Sequence, residues 1–253
     1  MTSRVPVLRR LAALAPALLV AGLLSQPAGA AGTSTAAEAD RPVVGECRNL
    51  SVAEAAAASS TSAPVDCSQR HNARTIKVGT LPAALDWDDE LAKVEAAVAR
   101  RCGPAHDRAL GRTHRVRAGA AYRWVWFEPT KTQRDAGARW YRCDLVLPGG
   151  TKYVALPTTA SPALPKGRLP DSVASCTTAP GYLTTCARPH AWRVTGTFVH
   201  PARTLPSTKK LRAAALRKCP SLTTSDRFLY AWSYALDWKL GNRVITCSSK
   251  TRA

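Results

Sequence analysis

A cysteine followed four residues later by a histidine occurs twice in this sequence, as Cys67-Ser-Gln-Arg-His71 and Cys186-Ala-Arg-Pro-His190. An Arg stands three residues past each His (Arg74, Arg193), and a Pro stands eleven residues past it (Pro82, Pro201). Thiolate and imidazole at this spacing are potential metal ligands, and an imidazole beside a nucleophile is a potential general base. Metal is disfavoured, because there is no C-x₂-C and no paired His to complete a site. Base catalysis at His71 or His190 lacks a Ser, Cys or carboxylate partner at useful spacing. The leading reading is structural: each ring packs beside its Cys and is satisfied by a backbone hydrogen bond. Ligand contact comes second, and no catalytic residue, metal or cofactor is assigned.

Eight cysteines frame these two sites, Cys47, Cys67, Cys102 and Cys143 in the first half and Cys176, Cys186, Cys219 and Cys247 in the second. An even count split four and four reads as a disulfide framework made outside the cytoplasm. Four cysteines allow three pairings per half, and placement favours Cys47–Cys67, Cys102–Cys143, Cys176–Cys186 and Cys219–Cys247. The first bridge of each half would pin an opening segment to a strand, and the second would pin a helix to the closing strand.

The elements that must position these residues follow from pattern. Residues 1–30 have an Arg-bearing start, an apolar run from Leu11 to Leu24 and a small-residue site at Ala28-Gly29-Ala30, so a secretory signal cleaved near Ala30 is expected. Residues 31–42 are expected to be a disordered leader. Four prolines between Leu156 and Pro170 mark a stiff connector at 156–170. That leaves one module at 43–155 and a second at 171–253.

In the first module, Val65 to Leu81 reads as a strand region with Ile76 and Val78 on its buried face. A helix capped by Asp86 carries Leu91, Val94, Val98 and Cys102 and stops at Gly103-Pro104. Residues 51–63 read as a loop or a weak short helix. Tyr122–Phe127 and Trp140–Leu147 are further strands. The second module repeats the order: a strand region from Cys186 to Val199, a helix capped by Ser207 or Thr208 and carrying Leu211, Ala215 and Cys219, and strands over Phe228–Tyr234 and into Cys247. Gly137-x-Arg139-x₃-Cys143 matches Gly241-x-Arg243-x₃-Cys247. The expected fold is α+β: two tandem modules, each a small antiparallel sheet with one helix, stapled by disulfides.

These motifs resemble the septum formation family of extracytoplasmic actinobacterial domains. The resemblance rests on Gly45-Glu46-Cys47, Cys67–His71, Cys102 and Gly137–Cys143 in the first half. In the second it rests on Cys186–His190, Cys219 and Trp238-Lys-Leu-Gly241-Asn242-Arg243–Cys247. Arg134 stands where the family pattern has Trp, and Ala174-Ser175-Cys176 replaces the opening Gly-acidic-Cys. The resemblance implies a link to septum formation and cell division, with no reaction attached.

Charge supplies the functional expectation. The net charge is +19, and from Lys166 onward there are 15 basic residues against 3 acidic ones, compared with 18 against 12 between Arg41 and Pro157. Lys209, Lys210, Arg212, Arg217 and Lys218 crowd the second helix as a candidate anion-binding patch. Outside a cell the available polyanions are wall polymers and acidic lipid head groups, and nucleic acid does not suit the compartment. The expected partner is therefore an anionic wall polymer, an acidic lipid surface or a division-site protein. The expected role is a secreted, envelope-associated, non-enzymatic binder, with an envelope hydrolase using His71 or His190 as the alternative. The Trp residues near the strands (Trp124, Trp126, Trp140, Trp232, Trp238) read first as core, and second as a groove for a glycan.

Overall fold

The computed structural model describes residues 40–158 and 162–251, so the expected signal sequence and most of the expected leader lie outside it. The first half runs β1 (Cys47–Arg48), α1 (Val52–Ala55), β2 (Ala73–Thr80), α2 (Leu91–Leu110), α3 (His114–Ala118), β3 (Arg123–Phe127), α4 (Lys131–Asp135) and β4 (Trp140–Val146). Its strands form one antiparallel sheet in the order β1-β2-β4-β3. The second half runs β5 (Ser175–Thr177), β6 (Leu183–Thr185), β7 (Trp192–Val199), α5 (Thr208–Lys218), a 3₁₀ turn at Cys219–Ser221, β8 (Phe228–Trp232), α6 (Ala235–Lys239) and β9 (Val244–Lys250). These strands make a second antiparallel sheet, β6-β5-β7-β9-β8. The fold is α+β, as the hydrophobic pattern and cysteine placement imply.

The two sheets share a register. β2 pairs with β4 through a bulge between Thr75 and Lys77, with Lys77 opposite Cys143. β7 pairs with β9 through a bulge between Val194 and Gly196, with Gly196 opposite Cys247. Cys47 faces Arg74 in one sheet, and Cys176 faces Arg193 in the other. All four disulfides pair as expected, and no cysteine is free. In each half one bridge ties the long helix, or the turn that ends it, to an inner strand, Cys102 to Cys143 and Cys219 to Cys247.

Every residue of β4 is buried, because both faces of the first sheet are covered. Alternate residues of a strand point to opposite faces. Tyr141 and Cys143 pack with Val94, Val98 and Cys102 of α2, while Val146 packs with Leu50, Ala73 and Phe127 on the other side. The β2 bulge splits the apolar pair expected to share a face. Ile76 joins the α2 side, and Val78 packs beside Ala138 and Trp140. An extra residue inserted in a strand reverses the alternation beyond it.

Several expected boundaries are corrected. Asp86 does not cap α2; its backbone N–H bonds Asp89 in a preceding turn, and the helix begins five residues later at Leu91. Nor does Gly103-Pro104 end it: α2 continues to Leu110 and stops at Gly111, whose φ is 64°. Pro104 removes one backbone donor, but Cys102, Ala105 and Leu110 are all buried and hold the axis against the sheet. The strand regions are shorter than read. Residues 65–72 contribute only an isolated bridge from Val65 to Cys47, and 186–191 form turns before β7. The β5–β6 hairpin was not anticipated.

All described residues belong to one compact unit. Backbone bonds cross between the halves: Ala121 N–H to the Val173 carbonyl at 2.8 Å, and Ser175 N–H to the Gly119 carbonyl at 2.8 Å. Within the Pro-rich stretch, Leu156 and Leu164 are buried in a cluster with Leu110, Tyr122 and Leu145. Among the described residues no helix is long and apolar enough to cross a membrane.

A disulfide stabilises mainly by restricting the unfolded chain, and the effect grows with loop length. Replacing Cys102 and Cys143, 41 residues apart, by Ala should lower stability by ~4 kcal/mol, against ~3 kcal/mol for Cys176 and Cys186, 10 residues apart. Urea unfolding of the two double variants measures both values and their order.

Candidate functional site

The repeated histidines are held alike. His71 Nδ1 lies 2.9 Å from the Gln69 carbonyl and His190 Nδ1 lies 2.7 Å from the Arg188 carbonyl, so in each ring Nδ1 carries the hydrogen. His71 is wholly buried and its Nε2 meets neither solvent nor a partner, so it has no route to a substrate. His190 is half-buried near Cys176 and Cys186. Those two sulfurs are bonded to each other and have no thiolate to give a metal. Arg193 pairs with Asp171 at 2.7 Å, and Arg74 is the second residue of β2, opposite Cys47. Arg139 donates to the Pro82 and Leu85 carbonyls, and Arg243 lies 3.4 Å from the Pro201 carbonyl. Each of these last two Arg residues follows a glycine with left-handed backbone, Gly137 at φ 93° and Gly241 at φ 96°. That conformation is open to glycine at little cost, which explains the repeated Gly-x-Arg spacing at the ends of α4 and α6. At the position of the family Trp, Trp238 is buried and donates to the Ala202 carbonyl, whereas Arg134 forms an ion pair with Glu128.

On the face of the first sheet away from α2 lies a buried polar chain that pattern reading missed. Arg142 donates to Asp144 at 3.0 Å, and the Thr75 hydroxyl donates to the other Asp144 oxygen at 2.8 Å. Arg48 donates to Thr75 at 3.0 Å and to Glu46 at 2.5 Å, and the Arg142 guanidinium lies 4.6 Å from the Phe127 ring centre. Burial pushes the Asp144 carboxyl up, against the pull of Arg142. Opposite charges two apart in a strand, as in Trp140-Tyr-Arg-Cys-Asp144, share a face, and that spacing was the available signal. At the same register the second sheet has Thr177, Val194, Thr246 and Ser248 instead. Arg48, Thr75, Arg142 and Asp144 are buried and only the Glu46 end is partly exposed, so the chain stabilises the sheet rather than meeting a ligand.

Two features are open to solvent. On α5, Lys209, Lys210, Arg212, Arg217 and Lys218 are all exposed, while Leu211, Ala214 and Ala215 are buried. None of the five cations forms an ion pair among the described residues. Between the two sheets lies a cavity of about 350 Å³, walled on one side by the ends of α2, α3 and β3 and on the other by β8, α6 and β9. His106 and Asp107 reach it only because α2 continues past Pro104, so ending the helix at Gly103 hid them. Arg117 pairs with Asp107 at 2.8 Å. Burial draws the Asp107 carboxyl upward, but neighbouring His106 and the Arg117 charge outweigh it and keep it below its ordinary value.

Removing one partner of a buried pair strands the other charge. Arg142→Met should therefore lower stability by about 3 kcal/mol, and Arg142→Met with Asp144→Leu should recover about half of that loss, read by chemical unfolding. Because the folded pKa of Asp107 is depressed, its stabilisation is present above its ordinary value of 3.8 and is lost as pH falls through the lower folded value. Asp107→Asn should flatten this acid loss in a series of unfolding midpoints from about pH 5 to pH 2.

No curated protein and no solved structure matches the chain. A model of the family described as septum formation matches residues 85–247, more than half of the chain, from the turn before α2 to Cys247 in β9. The match thus crosses both sheets and both helix-to-strand bridges, and the chain belongs to the septum formation family.

Proposed function

We propose that this is an envelope-associated, non-enzymatic protein that binds an anionic envelope polymer through the outer face of α5. The observation that carries the reading is the set of five exposed cations on α5 without an ion pair, in a half of the chain with 15 basic and 3 acidic residues. Charges left unpaired on one face attract a polyanion over a range set by salt. Family membership supports a septum-related role, and four disulfides are consistent with a compartment outside the cytoplasm. Secretion by the amino-terminal signal is part of the same reading. The hydrolase alternative gains nothing from His71, whose free nitrogen is buried. We propose also that the two halves arose from one duplicated unit, a reading supported by the shared strand register, bulge position and disulfide pattern.

At low salt the purified protein should sediment with isolated cell walls and be released at high salt. Lys209→Glu, Lys210→Glu and Arg212→Glu together should weaken binding about a hundredfold without changing the melting temperature. Salt-insensitive sedimentation, or full retention by the triple variant, would exclude α5 as the binding face. Stronger binding to anionic vesicles than to walls would move the partner to lipid.

A further inference from the structure

The segment that leads from β7 into α5 borders a groove of about 560 Å³ along one flank of that helix. Lys210, Ala213 and Arg217 are spaced by three and four residues, so they share that flank. Neither cation forms an ion pair among the described residues. The small Ala213 between them leaves room at the floor of the groove, and no carboxylate lines it.

His200 lines the groove from the facing segment and is held rigidly. Its backbone N–H bonds the Arg243 carbonyl at 2.9 Å, and its ring lies against buried Trp238 with ring centres 5.6 Å apart. The Ala202 N–H donates to His200 Nδ1 at 3.2 Å, so in the neutral ring the hydrogen sits on Nε2. That Nε2–H makes no hydrogen bond among the described residues and, unlike Nε2 of His71, is open to solvent. Burial, and then the charge of Arg217, hold the ring below its ordinary pKa of 6.5, which keeps it a neutral donor at neutral pH. Ser207 adds a hydroxyl that makes no capping bond to the helix.

Two cations and two neutral donors thus reach one groove from two walls. Arginine matches phosphate oxygens with a fork of donors, and a tetrahedral anion accepts from more directions than a planar carboxylate does. A phosphodiester also lies within its own chain, so a polymer can run along an open groove while each anion faces the donors. Leu205, Pro206 and Ala213 offer apolar surface to the carbons on either side.

We propose that this groove takes a phosphodiester unit of the envelope polymer, with the charged oxygens against Lys210, Arg217 and His200 Nε2–H. The inference rests on the reading of α5 as the polyanion face and adds the chemical class of the ligand.

The test is calorimetry of the purified protein at low salt, comparing a short glycerol phosphate oligomer with a galacturonate oligomer of equal charge. The phosphate oligomer should bind about fivefold more tightly, the worth of one further hydrogen bond. Arg217→Gln and Arg212→Gln each remove one charge from α5, but only Arg217 lines the groove. Arg217→Gln should weaken the phosphate oligomer about tenfold, the scale of a lost charge-assisted bond, and Arg212→Gln should cost less and act on both oligomers alike. His200→Phe keeps a ring against Trp238 and should weaken only the phosphate oligomer, with melting temperatures confirming that each variant folds. Equal affinity for the two oligomers, or equal losses in the two Arg variants, would overturn the groove while leaving α5 as the polyanion face. Binding of neither oligomer would remove both readings. Tighter, Arg217-dependent binding to phosphatidylglycerol vesicles than to the oligomer would overturn the polymer as the source of the phosphate.

Discussion

The covalent tie between helix and central strand is the constraint on which the structure rests. Cys102 sits on the buried face of α2 and Cys219 is buried in the turn that ends α5, and each is bonded to an inner strand of its sheet. A small sheet has limited apolar area to hold a helix in one orientation, and a fixed bond removes the freedom to slide or rotate. In the first half that bond also fixes where the distal turns of α2 lie, and they carry Leu110 to the junction and His106 and Asp107 to the cavity.

Cysteine and glycine positions were the most legible part of the sequence, because each has a narrow geometric use. Two pairings followed from placing one cysteine on a helix and its partner on a closing strand, and the other two from pinning an opening segment to the first strand region. The Gly137 and Gly241 spacing marked a backbone conformation that few other residues adopt. Helix ends were less legible. The pair Gly103-Pro104 has the form of a stop, and only the burial of Ala105 and Leu110 shows why it does not act as one. The β2 bulge was likewise invisible, since alternation over Ala73–Thr80 reads smoothly unless the partner strand is known.

The candidate sites divide in the same way. The α5 cations were legible because they crowd one short segment. The cavity was not, because its walls come from residues more than a hundred positions apart that only tertiary packing brings together. The buried chain from Glu46 to Asp144 was hidden for a related reason: Arg48, Thr75 and Arg142 are ordinary surface residues until the opening segment folds over the outer face of the sheet. Its absence from the second sheet shows that a shared register does not require a shared interior.

The backbone bonds from Gly119 and Ala121 to Ser175 and Val173 bear on how the molecule comes apart. A seam made of main-chain bonds, with Leu156 and Leu164 sealed beneath it, leaves neither half a complete surface of its own. Heating should therefore dismantle both sheets in a single cooperative transition rather than peel one from the other. A cut within the proline-rich crossing would leave two fragments with raw edges.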